Sequence, residues 1–262
     1  MISCKCSFDS TFLSKMVDVN VYLPHRVRLA DTGKDLSEVF NFKPLKTIFL
    51  LHGVRDNGEA WISQTSVMRY ADDYGVALVC PTVDNSFYVN NIRGERYYDF
   101  FVNEVISFVR GIFPLSDKRE DNYICGVSMG GYGTFNTIFN RPDLFCKAAV
   151  MTSVVDVSYS SRIINALGVH LDQTLGPWKE LKGSQFDLRT VIDNYEGDKA
   201  LIPPVLMIDS DRDYLRKTNL EFLEYYKNLG YPVEFRDYEG VHDWQFWDDH
   251  IKECMEFLLK DE

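Results

Sequence analysis

"YICGVSMGGYG", residues 123–133, is the stretch on which the fold turns. Apolar residues run into Gly126, a single serine stands at the centre, and glycines crowd both sides. Gly126-Val127-Ser128-Met129-Gly130 has the form G-x-S-x-G. Between a buried strand and a helix, this pattern makes a sharp turn that presents the serine at the end of the strand. The reason is steric. The serine backbone is strained, and side chains two residues to either side would collide, so glycine stands at both places. The strain lifts Oγ clear of the sheet edge. The helix that follows offers N–H groups and the positive end of its dipole to an oxyanion.

The segments around this turn supply the required context. "MVDVNVYLP" (16–24) alternates apolar and polar residues, as a half-exposed strand does. "KTIFLLHG" (46–53), "VALVCP" (76–81), "NYICGV" (122–127), "FCKAAVMTSV" (145–154) and "PVLMIDS" (204–210) read as buried strands. "PVEFRDY" (232–238) alternates again. Helical spacing runs through 59–74, 97–113, 131–140, 216–230 and 244–260. The alternation implies an α/β fold: a mostly parallel sheet with helices on both faces, led by antiparallel strands. One domain spanning 1–262 is expected. Residues 156 to about 200 break the rhythm, and an insertion of that size reads as a small cap.

The chain has 262 residues and a formal net charge of −11, which argues against nucleic acid or an anionic membrane as partner. "MISCKCSFDS" has no apolar signal-peptide core, and no apolar run reaches the length of a membrane span, so a cytoplasmic protein is expected. Homo-oligomerisation stays open. Six scattered cysteines read as small apolar side chains rather than a disulfide framework, and Cys4 and Cys6 lack the second pair a zinc site needs.

A serine hydroxyl needs a base to become a nucleophile. Of the five histidines, His242 lies in "EGVHDWQFW", a loop leaving the last strand, whereas His250 falls inside the final helix with a solvated side chain. His52 reads as a turn-stabilising side chain. The acid that orients the base belongs after the preceding strand, where "IDSDRDYL" offers Asp209, Asp211 and Asp213. Asp213 is the first choice, being far enough along the loop to turn back. The D-x-D-x-D spacing lacks the glycine and glutamate of a calcium loop, since Tyr214 and Leu220 stand there, so no metal is expected. Serine, aspartate and histidine in that order, each after a strand, is the arrangement of the α/β-hydrolase fold. It needs no cofactor. "FLLHGVRDNGEAW" (49–61) supplies a glycine turn, which assigns the oxyanion hole to the N–H groups of Val54 and Met129.

"LLHG", "PTVDNSFY", "SDKREDNYICGVSMGGYGTF", "DRDYLRKTN" and "GVHDWQFWDDHI" together resemble the tributyrin esterase family over nearly the whole chain. That group of acetyl-esterase-like enzymes is related to esterase D (S-formylglutathione hydrolase) and to feruloyl esterases. The resemblance implies Ser128 as nucleophile, Asp213 as acid and His242 as base, with short-chain esters as small-molecule substrates. Two departures stand out. Asp-Ser-Asp-Arg precedes the acid, and "LHGVRDN" replaces the segment typical of the esterase D branch. Arg55 either contacts substrate or pairs with Asp56 or Glu59. Tyr98, Trp178 and Trp244 are candidate substrate-binding residues, with Trp178 a wall of the cap; Phe87, Tyr88, Tyr97 and Trp247 are further aromatics a ring could stack on. Three readings compete: a short-chain carboxylesterase, a feruloyl or S-formylglutathione hydrolase, and an inactive binding module on the same fold.

Overall fold

A computed structural model describes residues 1–25, 33, 43–166 and 168–260. Eight strands form one sheet: β1 (Ile2–Ser10), β2 (Lys15–Leu23), β3 (Thr47–Leu51), β4 (Ala77–Pro81), β5 (Asn122–Val127), β6 (Lys147–Met151), β7 (Val205–Ser210) and β8 (Val233–Tyr238). Their spatial order is β1-β2-β4-β3-β5-β6-β7-β8. β1 pairs antiparallel with β2, and β2 with β4; every later pairing is parallel. This is the expected α/β-hydrolase architecture. Because the parallel strands share one direction, the loops after β3, β5, β7 and β8 gather at a single edge, where ligands of open α/β sheets bind.

Burial explains the short continuous runs. All five residues of β3 are buried. Ile48 and Leu50 pack with Trp61, Trp247 and Ile251 on one face. Phe49 and Leu51 join the opposite core, where the Phe49 ring meets Phe101 and Phe145 edge-on at 6.2 and 5.4 Å. A strand covered on both sides needs no polar positions.

Two elements differ from expectation. The helix expected over 59–74 is two, Ala60–Gln64 and Val67–Tyr74. Thr65 between them is extended, and its Oγ1 accepts the Val67 N–H at 3.2 Å. The Ser66 N–H is taken by Asp248 Oδ1 at 2.6 Å. Side chains thus satisfy the amides that a continuous helix would have bonded. The helical run from 97 to 112 widens to i→i+5 spacing over Phe100–Val105.

The insertion between β6 and β7 contains the helices Val157–Ala166 and Leu188–Asp193, joined by irregular chain with short 3₁₀ turns. Leu171, Leu175, Leu181, Leu188 and Ile192 enter the same core as the Met129–Asn140 helix. Much of the insertion therefore serves as one wall of the main core. The six cysteines are free thiols; Cys80, Cys125 and Cys254 are buried, the others half-buried. Among the described residues no helix is long and apolar enough to cross a membrane.

Candidate active site

β5 runs into the Met129–Asn140 helix through Ser128, whose φ of 52° and ψ of −115° lie where few L-residues go. Two glycines make the turn fit. A Cβ on Gly126 would lie 2.1 Å from Gly130 O, and one on Gly130 would lie 2.1 Å from Leu51 O. The strained residue is tied down: its N–H donates to Met151 O at 3.2 Å, and its carbonyl accepts from Val154 at 3.0 Å.

His242 follows β8 and reaches across the edge. Its Nε2 lies 3.0 Å from Ser128 Oγ, and its Nδ1 lies 2.7 Å from Asp213 Oδ2. The second Asp213 oxygen accepts the Leu215 N–H at 2.7 Å. The Asp213 side chain has no exposed surface, so its charge is held by these two donors alone among the described residues. An ionised carboxylate can only accept, which places the Nδ1 proton towards Asp213 and leaves Nε2 free to take a proton from Oγ. The imidazole sits between two aromatic rings, Tyr214 at 4.7 Å and Trp247 at 5.2 Å. The Trp247 indole donates to Thr152 Oγ1 at 2.9 Å.

The other two aspartates of "IDSDRDYL" have different fates. Asp211 is exposed and accepts the Gly240 N–H at 3.0 Å, fastening the β7 loop to the β8 loop. Asp209 is buried beside Asn219. Burial first, and then the Asp213 charge, push its carboxyl up to about 6.

His52 is fully buried. Its Nδ1 lies 2.8 Å from Gly53 O, and its Nε2 accepts the Val83 N–H at 3.1 Å. That pair of contacts fixes the neutral tautomer, and burial pushes its pKa down to about 4. The ring thereby holds the loop carrying Val54. Neither the Val54 nor the Met129 N–H donates to a backbone acceptor among the described residues. His250, expected to be solvated, instead stacks on Tyr238 at 4.1 Å.

A cleft of about 470 Å³ opens over Ser128 and His242, lined by Val54, Arg55, Asp56, Ile164, Tyr214, Asp243, Trp244 and Trp247. Two of the candidate binding residues are elsewhere. Tyr98 borders a separate small cavity with Asn136, Asn140 and Gln185. Trp178 projects outward, 39% exposed, with the Arg162 and Lys179 cations over its ring. A cation on an aromatic face suffices to hold it there, so it is no wall of this cleft. Phe87 and Tyr88 are core side chains, and Tyr97 bonds Asp84. Arg55 lines the cleft facing Asp56, while Glu59 pairs with Lys5 at 2.7 Å. Ile164, Tyr214 and Asp243 escaped the sequence reading, which took Asp56 only as a partner for Arg55. Tyr214 had a local signal, since it adjoins the acid; Ile164 had none, because its helix comes from the insertion.

The "Putative esterase" family model matches residues 10–258. An acetyl esterase of Caldicellulosiruptor saccharolyticus is 30% identical over 256 residues, covering 95% of this chain and 96% of that one. Two Staphylococcus aureus structures are each 31% identical with 99% of both chains covered. One is the substrate-bound fluorophosphonate-binding serine hydrolase FphF, with a TM-score of 0.85. The other is the S-formylglutathione hydrolase FrmB, with a TM-score of 0.83. The chain belongs to this esterase family and is a carboxylic ester hydrolase on the α/β-hydrolase fold.

Proposed function

We propose that this esterase hydrolyses short acyl esters, acetyl to butyryl, of a sugar or other small alcohol through an acyl-enzyme on Ser128. The observation that carries the reading is the hydrogen-bonded line from Asp213 through His242 to Ser128, at 2.7 and 3.0 Å. His242 Nε2 takes the Oγ proton as Oγ attacks the carbonyl carbon. Asp213 holds the tautomer and stabilises the imidazolium. The N–H groups of Val54 and Met129 receive the oxyanion, each lowering the barrier by about 3 kcal/mol. The imidazolium then gives its proton to the departing alcohol oxygen, and water repeats the sequence on the acyl-enzyme.

The cleft's mixed lining supports the short acyl range. Ile164, Trp244 and Trp247 are apolar, but Arg55, Asp56 and Asp243 share the space. A few methylenes find apolar cover, each gaining about 0.8 kcal/mol. A long chain would lie against charged groups and desolvate them. The acetyl esterase relative supports the acetyl end of that range. A second reading, thioester hydrolysis of S-formylglutathione, is favoured by the 31% identity to FrmB. A feruloyl substrate would find Trp244 and Trp247 in the cleft but not Tyr98 or Trp178, which lie elsewhere, and has less support.

The test is a fluorophosphonate probe followed by a substrate panel. The probe is expected to label Ser128, and Ser128→Ala to lower kcat/KM for p-nitrophenyl acetate by about 10⁴-fold or more without loss of fold. Labelling at another residue of an active sample defeats the mechanism. In the wild type, acetate and butyrate esters are expected to react far faster than decanoate; equal kcat/KM values defeat the acyl range. S-formylglutathione turned over faster than every oxygen ester would establish the second reading.

A further inference from the structure

One charged side chain in the cleft has no part in the steps above. Asp56 lies two residues past Val54, half-buried, on the loop that carries the oxyanion donor. A methyl group placed on Gly53 would stand 3.5 Å from both Asp56 Oδ2 and Ser128 Cβ, so the carboxylate and the nucleophile's side chain flank the same glycine and line the same cleft. The Trp244 indole lies close enough to favour the ionised carboxyl, and Arg55 adds an exposed positive charge nearby. An ionised carboxylate has about four acceptor positions, so one indole leaves acceptors facing the cleft. Burial already holds this carboxyl above the usual range, and a substrate closing over it removes more water.

From this placement we infer that Asp56 selects the substrate by its hydroxyl donors and its charge: it accepts a hydrogen bond from a hydroxyl of a neutral, partly acylated polyol and turns away anionic esters and thioesters. The inference rests on the acyl-enzyme reading and adds to it the residue that sorts substrates. The chemistry is asymmetric. A substrate hydroxyl replaces the lost water on the carboxylate. An alkyl group leaves a covered charge without a partner, and a site built for a hydroxyl rejects the analogue lacking it. A substrate carboxylate meets a like charge in a partly dry cleft. Asp243 lies in the same cleft and adds to the repulsion, although one of its oxygens caps the final helix at the Phe246 N–H. Arg55 and Asp243 are both exposed and solvent-screened, so the half-buried Asp56 carries most of the repulsion.

Three acetates of matched size separate the effects: 3-acetoxypropan-1-ol, propyl acetate and 3-acetoxypropanoate. Wild-type kcat/KM is expected to fall in that order, by about 10-fold at each step. Asp56→Ala removes the acceptor and is expected to bring the alcohol and propyl esters within about threefold of each other. Asp56→Asn keeps an acceptor but no charge. It is expected to retain most of the alcohol preference while raising the relative rate of the anionic ester about 10-fold. Ratios between substrates are independent of how much of a variant folds, and fluorophosphonate labelling of Ser128 counts the folded sites. Equal wild-type rates for the three acetates overturn the inference even if neither variant folds. So do variant ratios equal to the wild type's in labelled protein, which would make Asp56 a structural partner of Trp244. Absence of labelling and of p-nitrophenyl acetate hydrolysis in folded wild type would instead bring down the acyl-enzyme reading itself.

Discussion

The turn at Ser128 and the insertion at 156–200 sit on either side of the same cleft, yet they are specified in opposite ways. At the turn, backbone meets backbone. Gly126 and Gly130 each approach a carbonyl so closely that no side chain fits, and the strained φ of Ser128 follows from local sterics. In the insertion, by contrast, irregular chain and short helical turns are fixed by where Leu171, Leu181 and Leu188 find room in the core. The first region tolerates almost no change of shape and carries the proposed nucleophile. The second is held by burial, and of its side chains Ile164 lines the cleft.

That contrast is broken most directly at Gly130. A methyl there drives into Leu51 O and His52 O, the backbone leading to the loop that carries Val54. Gly130→Ala is expected to cost about 4 kcal/mol and to abolish activity in whatever folds. Urea denaturation and active-site labelling measure the two effects; a stable, active variant would show that the turn is less constrained than its contacts imply. Leu188→Ala probes the other side. It is expected to lose about 3 kcal/mol of stability through the cavity it leaves, with kcat per labelled site within about twofold of wild type. A large fall in kcat at unchanged stability would make the insertion part of the catalytic machinery.

Next in size is a pH effect that sets His52 against Asp209. His52 is depressed to about 4. Between about pH 6.5 and 4 the unfolded chain therefore takes up a proton that the folded chain refuses, and stability falls as pH drops, by up to about 3 kcal/mol. Asp209 acts in the opposite sense. Raised to about 6, it keeps a proton in the folded chain that the unfolded chain has already lost, so its penalty is relieved as pH drops towards 4. The two partly cancel. Asp209→Asn is expected to gain about 2 kcal/mol at pH 7.5 and to show a steeper loss between pH 6 and 4. Denaturant titrations at several pH values give both numbers, and an unchanged slope would remove Asp209 from the balance.

The smallest effect sharpens the contrast within the insertion. Trp178→Ala is expected to change stability by less than about 1 kcal/mol and to leave the acyl-length profile of p-nitrophenyl esters as it was. Ile164→Ala is expected to shift that profile towards longer chains. A shift at Trp178 instead would return it to the cleft wall.

The same division decides what could be read from the sequence. Glycine spacing marks Ser128 because sterics act within five residues. The order of Ser128, Asp213 and His242 marks the fold because each follows a strand. Asp213 stood apart from Asp211 less clearly, since the difference depends on Gly240 docking from another loop. β1 carries a plain alternation, Ile2, Cys4, Cys6 and Phe8 against Ser3, Lys5, Ser7 and Asp9, but two cysteines in place of β-branched residues weaken it. The break after Thr65 is held by Asp248, which takes the Ser66 N–H from 182 residues away. Trp178 carried no register at all: an aromatic residue in irregular chain can face the core, the cleft or solvent, and two nearby cations settled the matter.

The separation of Ser128 from His242 has a consequence in time. The two are 114 residues apart, and a ribosome adds about 5–20 residues each second. The serine turn thus precedes its base by on the order of ten seconds. During that interval the hydroxyl has no proton acceptor and is no more reactive than any other alcohol in the cell. On the proposed mechanism, the chain acquires a nucleophile only when β8 joins the sheet edge with His242 behind it. On that mechanism the growing chain stays inert until its later stretch is made, because the reactive group is divided between an early and a late part of the polypeptide.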